Sequence, residues 1–295
     1  MDNHRKHPVI VGVDGSRDGL TALAWSVDHA VRSRAPIRVV HVVDDSIPPG
    51  HLSPATLRML DATDGSEILQ DAATEFRRLG RGAVSASFEI QHGHPAEALL
   101  DLAGTAALLV VGRRGLEGFA ELIVGSTSQV CAALSDAPVV VVPDCWPPGA
   151  PSTRRVIVGV DGTASCQPAL DFAFGIASMR GASLTVVHAA TMPELYPPPD
   201  LWLSADQPPW SPDVEHLVAE SLAGWAEKFP DVAVETRLVA GHPVEILAAA
   251  SATADLVVVG GVSRARFSAL RLGSVSRGLL HHAACPVAVV HERRA

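Results

Sequence analysis

The chain has 295 residues, 47% hydrophobic and 19% charged, a length that suits two cores at about 150 residues each and a composition that excludes disordered and fibrous chains. Its net charge of −9 argues against nucleic-acid binding, which needs a basic face to neutralise phosphates. No apolar run reaches the roughly 18 residues that span a bilayer, and the opening Met1–Pro8 stretch lacks the apolar core of a signal peptide, so no membrane insertion and a cytoplasmic location are expected.

In chain order, Val9–Val13 is the first expected strand. Leu20, Leu23, Ala24, Val27, Ala30 and Val31 then recur at helical spacing as one apolar stripe. Strand Ile37–Val43, a Pro-rich loop and a helical stretch near Thr56–Leu79 follow, then an alternating strand over Ala83–Ile90. Pro95 opens a helix, Leu108–Val111 is a fourth strand, and a helix runs from Gly125 to about Leu134. Val139–Val142, apolar throughout, reads as a strand buried on both faces. Equivalent strands recur at Val156–Val160, Ser183–Val187, Val232–Val239, Leu256–Val259 and Val287–Val290.

That recurrence is a duplication. Val9-Ile-Val-Gly-Val-Asp-Gly-Ser16 is answered by Val156-Ile-Val-Gly-Val-Asp-Gly-Thr163 at an offset of 147, and Val40-His41 by Val187-His188 at the same offset. Gly93-His-Pro95, Val110-Val-Gly112, Gly125-Ser126 and Pro138-Val139 all recur at 148. The expected domains are residues 1–143 and 154–295, joined by a Pro/Gly-rich linker over 144–153. Strands alternating with helices predict an α/β fold, one doubly wound domain per half.

Such sheets bind ligands beyond the carboxyl ends of their strands, and the distinctive residues fall there. The first strand ends in Gly12-Val13-Asp14-Gly15-Ser16. The fourth ends in Gly112-Arg113-Arg114-Gly115, followed after nine residues by Gly125-Ser126-Thr127-Ser128 at a helix start. Glycines let a backbone turn with positive φ and approach a ligand closely, and helix-start amides favour an anion. This is a phosphate cradle without a lysine, since the chain's lysines are Lys6 and Lys228. The second half reads Gly159-Val160-Asp161, then Gly260-Gly-Val-Ser263, nine residues, and Gly273-Ser274-Val275.

On these motifs the chain resembles the universal stress proteins, in the tandem arrangement common among actinobacteria. The resemblance implies five-stranded parallel sheets of order 3-2-1-4-5, with ATP, with or without Mg2+, held by its phosphates on the G-x-x-G loop. It also implies adenine near Asp14 or Asp161, with Val42 or Ala189 lining the base. It further implies pairing of the two last strands within the chain, a homodimer of chains, and a protein partner that the sequence does not identify.

Several residues carry a second reading. Asp14 and Asp161 suit Asx turns as well as nucleotide contact. His41 and His188 read as structural, because no acid or nucleophile stands at a fixed spacing from either. Arg113 and Arg114 would touch phosphate or be solvated, and Arg264, Arg266 and Arg271 pose the same choice. Cys131, Cys145, Cys166 and Cys285 lack metal or disulfide spacing and read as buried or incidental thiols. The Tyr196–Trp210 stretch is either a lid or partner surface, or a loop folded on its own domain.

Three functions follow: a nucleotide-dependent regulator in stress or growth arrest, which is preferred; a slow ATPase or nucleotidyl-transferring enzyme; or a structural oligomer without ligand. Because Ser263 stands where the first half has Gly115, the first half is expected to bind ATP more tightly.

Overall fold

Helix α1 (Arg17–Ser33) starts where Ser16 leaves the helical conformation and its Oγ accepts from the Gly19 amide at 3.0 Å. It stops at Arg34, whose φ of 55° is left-handed. The computed structural model describes residues 7–44, 65–80, 84–115, 124–147, 152–190, 212–261 and 272–292. In the first half, strands β1 (Val9–Gly12), β2 (Ile37–Val43), β3 (Ala86–His92), β4 (Leu108–Gly112) and β5 (Val139–Val142) alternate with α1, α2 (Ser66–Gly80), α3 (Pro95–Ala103) and α4 (Ser126–Leu134).

In the second half, strands β6 (Arg155–Gly159), β7 (Ser183–Ala190), β8 (Val234–Ala240), β9 (Leu256–Gly260) and β10 (Val287–Val290) alternate with helices α5 to α9. These are α5 (Gln167–Arg180), α6 (Pro212–Leu222), α7 (Trp225–Lys228), α8 (Pro243–Ser251) and α9 (Ser274–His282).

The ten strands form one sheet in the order β3-β2-β1-β4-β5-β10-β9-β6-β7-β8, which is 3-2-1-4-5 followed by its mirror. All pairs are parallel except the central one: β5 and β10 run antiparallel, with Val139, Val140 and Val141 opposite Val289, Ala288 and Val287. All of these residues are buried, as expected of strands covered on both faces. One apolar core lies on each side of the sheet, and each runs through both halves. On one side Trp25, Leu23 and Ala72 join Phe174, Leu170 and Val218; on the other Leu99 and Cys131 join Leu247 and Leu279.

Some boundaries differ from the sequence reading. The third strand runs over Ala86–His92 rather than Ala83–Ile90, and β8 starts at Val234 rather than Val232. Both are edge strands with mixed exposure, where alternation is a weak guide. The helix expected near Thr56–Leu79 is described from Ser66 to Gly80, its earlier part lying outside the described residues. Val31, counted in the apolar stripe of α1, is 44% exposed, whereas Trp25, Ser26 and His29 are buried. The cause is the second half. Trp25 stacks on His29 with ring centroids 5.3 Å apart, the Arg180 guanidinium lies 5.2 Å from the Trp25 ring, and it pairs with Asp28 at 3.3 Å.

Side-chain hydrogen bonds cross the junction near β5 and β10. Arg113 Nη1 donates to the Ala283 carbonyl at 3.0 Å, and His291 Nε2 donates to the Ala132 carbonyl at 2.7 Å. A side chain at Gly261 would meet the His291 ring. A further hydrogen bond secures the start of the second half, where the Thr153 amide donates to Asp255 Oδ1 at 2.8 Å.

Truncation after Pro286 removes β10 and turns β5 and β9 into uncovered apolar edges, so the product is expected to aggregate in size-exclusion chromatography; a soluble product with an unchanged melting curve would sink this account. Burial first, and the Arg180 charge next, lower the His29 imidazole from its ordinary value of 6.5 to about 4. The unfolded chain therefore binds the extra proton first as pH falls. The stability tied to His29 is complete above about pH 6.5 and is lost toward pH 4, by about 3 kcal/mol in all. In urea titrations across that range, His29→Leu should flatten the loss by that amount.

Candidate functional site

The carboxyl ends of β1 and β6 lead into the same turn in both halves. Gly15 and Gly162 adopt φ of 83° and 76°, which a side chain would strain. Asp14 Oδ1 accepts from the Ser16 amide at 3.0 Å, and Asp161 Oδ1 from the Thr163 amide at 2.9 Å. Both carboxylates thus make Asx turns, with one oxygen each engaged in that bond. Behind the turns, Nδ1 of His41 donates to the Val13 carbonyl at 2.9 Å and Nδ1 of His188 to the Val160 carbonyl at 3.0 Å. These histidines brace the turn; Val42 and Ala189 follow them along β2 and β7, and Ala189 shares the lining of a cleft with Asp161.

The ends of β4 and β9 are joined to α4 and α9 by a second repeated device. Gly125 and Gly273 sit at the helix starts with φ of −72° and −64°, and neither helix has a side-chain cap. Their amides donate back across the loop, Gly125 to the Arg113 carbonyl at 2.8 Å and Gly273 to the Gly261 carbonyl at 3.0 Å. Ser128 Oγ donates to the Gly112 carbonyl and Ser276 Oγ to the Gly260 carbonyl, each at 2.6 Å. Ser126 and Thr127 in one half, and Ser274 and Val275 in the other, form the first turn, to whose amides the N-cap glycine offers no side-chain acceptor.

Three site expectations change on this geometry. Arg113 does not reach toward the loop ligand: its side chain is buried at the junction, bonded to Ala283 and 3.6 Å from Asp144. Gly115 and Gly125 are not left-handed, so positive φ is not the reason for glycine at either position. Close approach is the reason at Gly115, where a Cβ would lie 2.6 Å from Asp14 Oδ2, while at Gly125 the nearest atom would be 3.5 Å away. Ser263, Arg264, Arg266, Arg271 and the Tyr196–Trp210 stretch lie outside the described residues.

Among the described residues the two loops have different surroundings. A cleft of about 530 Å³ opens at the carboxyl ends of β6 and β9, lined by Gly159, Asp161, Ala189, Gly260, Gly273 and Ser274. Val160 and Val275 border it too, and α6 adds Val214 and Leu217. The Cys166 thiol also borders it; burial first, then the Asp161 charge, pushes it up, which keeps it neutral. In the first half, the start of α1 presses on the loop instead. A Cβ at Gly112 would lie 2.7 Å from the Asp18 carbonyl carbon, and Asp18 Oδ2 accepts from the Arg114 amide at 3.0 Å.

Two repeats, each a doubly wound α/β unit with a glycine loop at the carboxyl end of its sheet, define a tandem protein of the kind that receives ligands beyond its strands. A family model described as the universal stress protein family matches residues 6–143 and again 152–291. The chain belongs to that family. A universal stress protein of Mycobacterium tuberculosis is 34% identical over 298 residues, covering 98% of each chain. Another from Mycolicibacterium smegmatis is 31% identical over 300 residues with the same coverage. The crystal structure of a universal stress protein from Archaeoglobus fulgidus shares the fold across 97% of both chains, with a TM-score of 0.69 at 19% identity.

Because Gly112 faces the backbone of Asp18 while Gly125 has room, Gly112→Ala should lower the free energy of unfolding by about 1–3 kcal/mol and Gly125→Ala by much less. Urea denaturation of the two variants side by side tests this, and equal losses would contradict it.

Proposed function

We propose that the chain is an ATP-binding regulator that holds its nucleotide in the second-half cleft and presents different surfaces to a protein partner when loaded and empty, during stress or growth arrest. The observation that carries this reading is the cleft itself. Its volume of about 530 Å³ falls within the roughly 300–1,000 Å³ typical of small-molecule sites. Among its lining residues are Gly159, Asp161, Ala189, Gly260, Gly273 and Ser274, at which the repeat motifs gather.

The residues fit the parts of the ligand. Ala189, Val187 and Leu247 offer apolar area for a base, and Asp161 offers acceptor oxygens beside it. The uncapped start of α9 at Gly273 and Ser274 offers amides and a hydroxyl to phosphate oxygens. Among the described residues no group of three metal-ligating side chains occurs, so Mg2+ would arrive on the phosphates, with Asp161 as the carboxylate bordering the cleft. Holding rather than hydrolysing the nucleotide follows from the same inventory: His188 Nδ1 and one Asp161 oxygen are engaged by the turn. This reading reverses the order expected from the glycine signature, because openness now favours the half whose signature is incomplete. A homodimer of chains is part of the same reading.

Calorimetric titration of ATP into nucleotide-free protein should give one site per chain. Asp161→Ala should weaken it about tenfold, the equivalent of one lost hydrogen bond near 1.4 kcal/mol. Ala189→Phe, which fills the position of the base, should weaken it further. If both variants bind ATP as the wild type does, the nucleotide is not in this cleft.

A further inference from the structure

The first-half loop has the complete glycine signature, and yet its approach to a phosphate is occupied by the protein itself. Asp18 stands in the first turn of α1 and is 6% exposed. Its Oδ2 accepts from the Arg114 amide at 3.0 Å, an amide that lies inside the Gly112–Gly115 turn. The helix start also lies on the loop, as the 2.7 Å approach of a Gly112 Cβ to the Asp18 carbonyl carbon requires. On the other side of the turn, Asp14 Oδ2 faces Gly115, and Ser16 Oγ donates to the Arg114 carbonyl at 3.4 Å.

The second half carries no carboxylate at the position matching Asp18. At the offset of 147 that relates the first strands, Asp18 corresponds to Ser165. A Cβ on Gly260 would find its nearest neighbour, the Ser165 carbonyl oxygen, at 3.7 Å. Ser165 is exposed, its hydroxyl 2.6 Å from that of Thr163, and it lines the open cleft.

We infer that Asp18 is a specificity-determining residue, a built-in anion that takes the loop amide a phosphate would need and so excludes nucleoside polyphosphates from the first half. A carboxylate and a phosphate cannot share one N–H donor, and at contact distance in a partly desolvated site like charges repel strongly. The loop keeps its glycines because the helix start packs on Gly112 and the Asp14 carboxylate on Gly115, not because a ligand does. Burial pushes the Asp18 carboxyl up from its ordinary value, and the Arg114 amide opposes that shift by favouring the charged form. The inference rests on the proposed function, in that it names the ligand excluded from one of two related sites.

The experiment is calorimetric titration of ATP with Mg2+ into nucleotide-free full-length protein. Wild type is expected to bind one equivalent, and Asp18→Ser, which installs the residue found at the matching position of the second half, two. Asp18→Ala removes the acceptor and its charge together, so it guards against a serine variant that fails to fold; it too should gain a second equivalent. In the Asp18→Ser, Ala189→Phe double variant, one equivalent should remain, now in the first half. Two equivalents in wild type, or no gain in either Asp18 variant, would overturn the inference. A wild type that binds no ATP would overturn the proposed function instead, and the inference would then be decided by whether the Asp18 variants gain a site from none.

Discussion

The antiparallel pairing of β5 with β10 sets the rest of the molecule. Each half ends in a short strand of apolar residues that is too buried to face water and too short to be stable alone. Pairing them converts two five-stranded sheets with exposed edges into one ten-stranded sheet, and it brings the helices on each face into a single layer. The crossing bonds from Arg113 and His291 lie beside this seam. The carboxyl ends of the parallel strands, and with them the two glycine loops, are thereby fixed on either side of a common centre.

Much of this architecture is legible in the sequence, because its cause is local. Runs such as Val139–Val142 and Leu256–Val259 are strands by composition alone, and the Pro95 and Pro243 helix starts follow from a residue that needs no amide partner there. The repeat register located both loops. What stayed hidden was anything whose cause sits in the other half. Trp25 and His29 lie outside the apolar stripe read from the sequence, and their burial is explained only when Arg180 is placed over the Trp25 ring; Arg113 looks like a phosphate ligand until Ala283 is found next to it.

The site was legible in position but not in state. The motif marks where a ligand loop can form; whether the loop is open depends on what the neighbouring helix start carries. Asp18 gives no periodic or spacing signal, and only its pairing with the Arg114 amide reveals its role. Ser128 and Ser276 could have been singled out, since they recur at the offset of the loops, but their hydroxyls bind carbonyls rather than facing outward. Conformational reasoning from glycine alone was likewise incomplete: among the described glycines of the two turns and loops the left-handed ones are Gly15 and Gly162, while Gly112 and Gly115 are glycines for want of space.

The contact of Arg180 with Trp25 and Asp28 bears on why such a molecule is one polypeptide. At an offset of 147 the counterparts of Trp25 and Asp28 are Phe172 and Gly175, and that of Arg180 is Ser33. A symmetric pair of identical single-domain subunits would have to write the cation, the indole and the carboxylate into every copy, and each substitution would appear on both sides of the axis at once. Fusion releases that constraint. Either half can drift independently while the seam holds them together, so the covalent link acts as a licence for division of labour between copies that began alike.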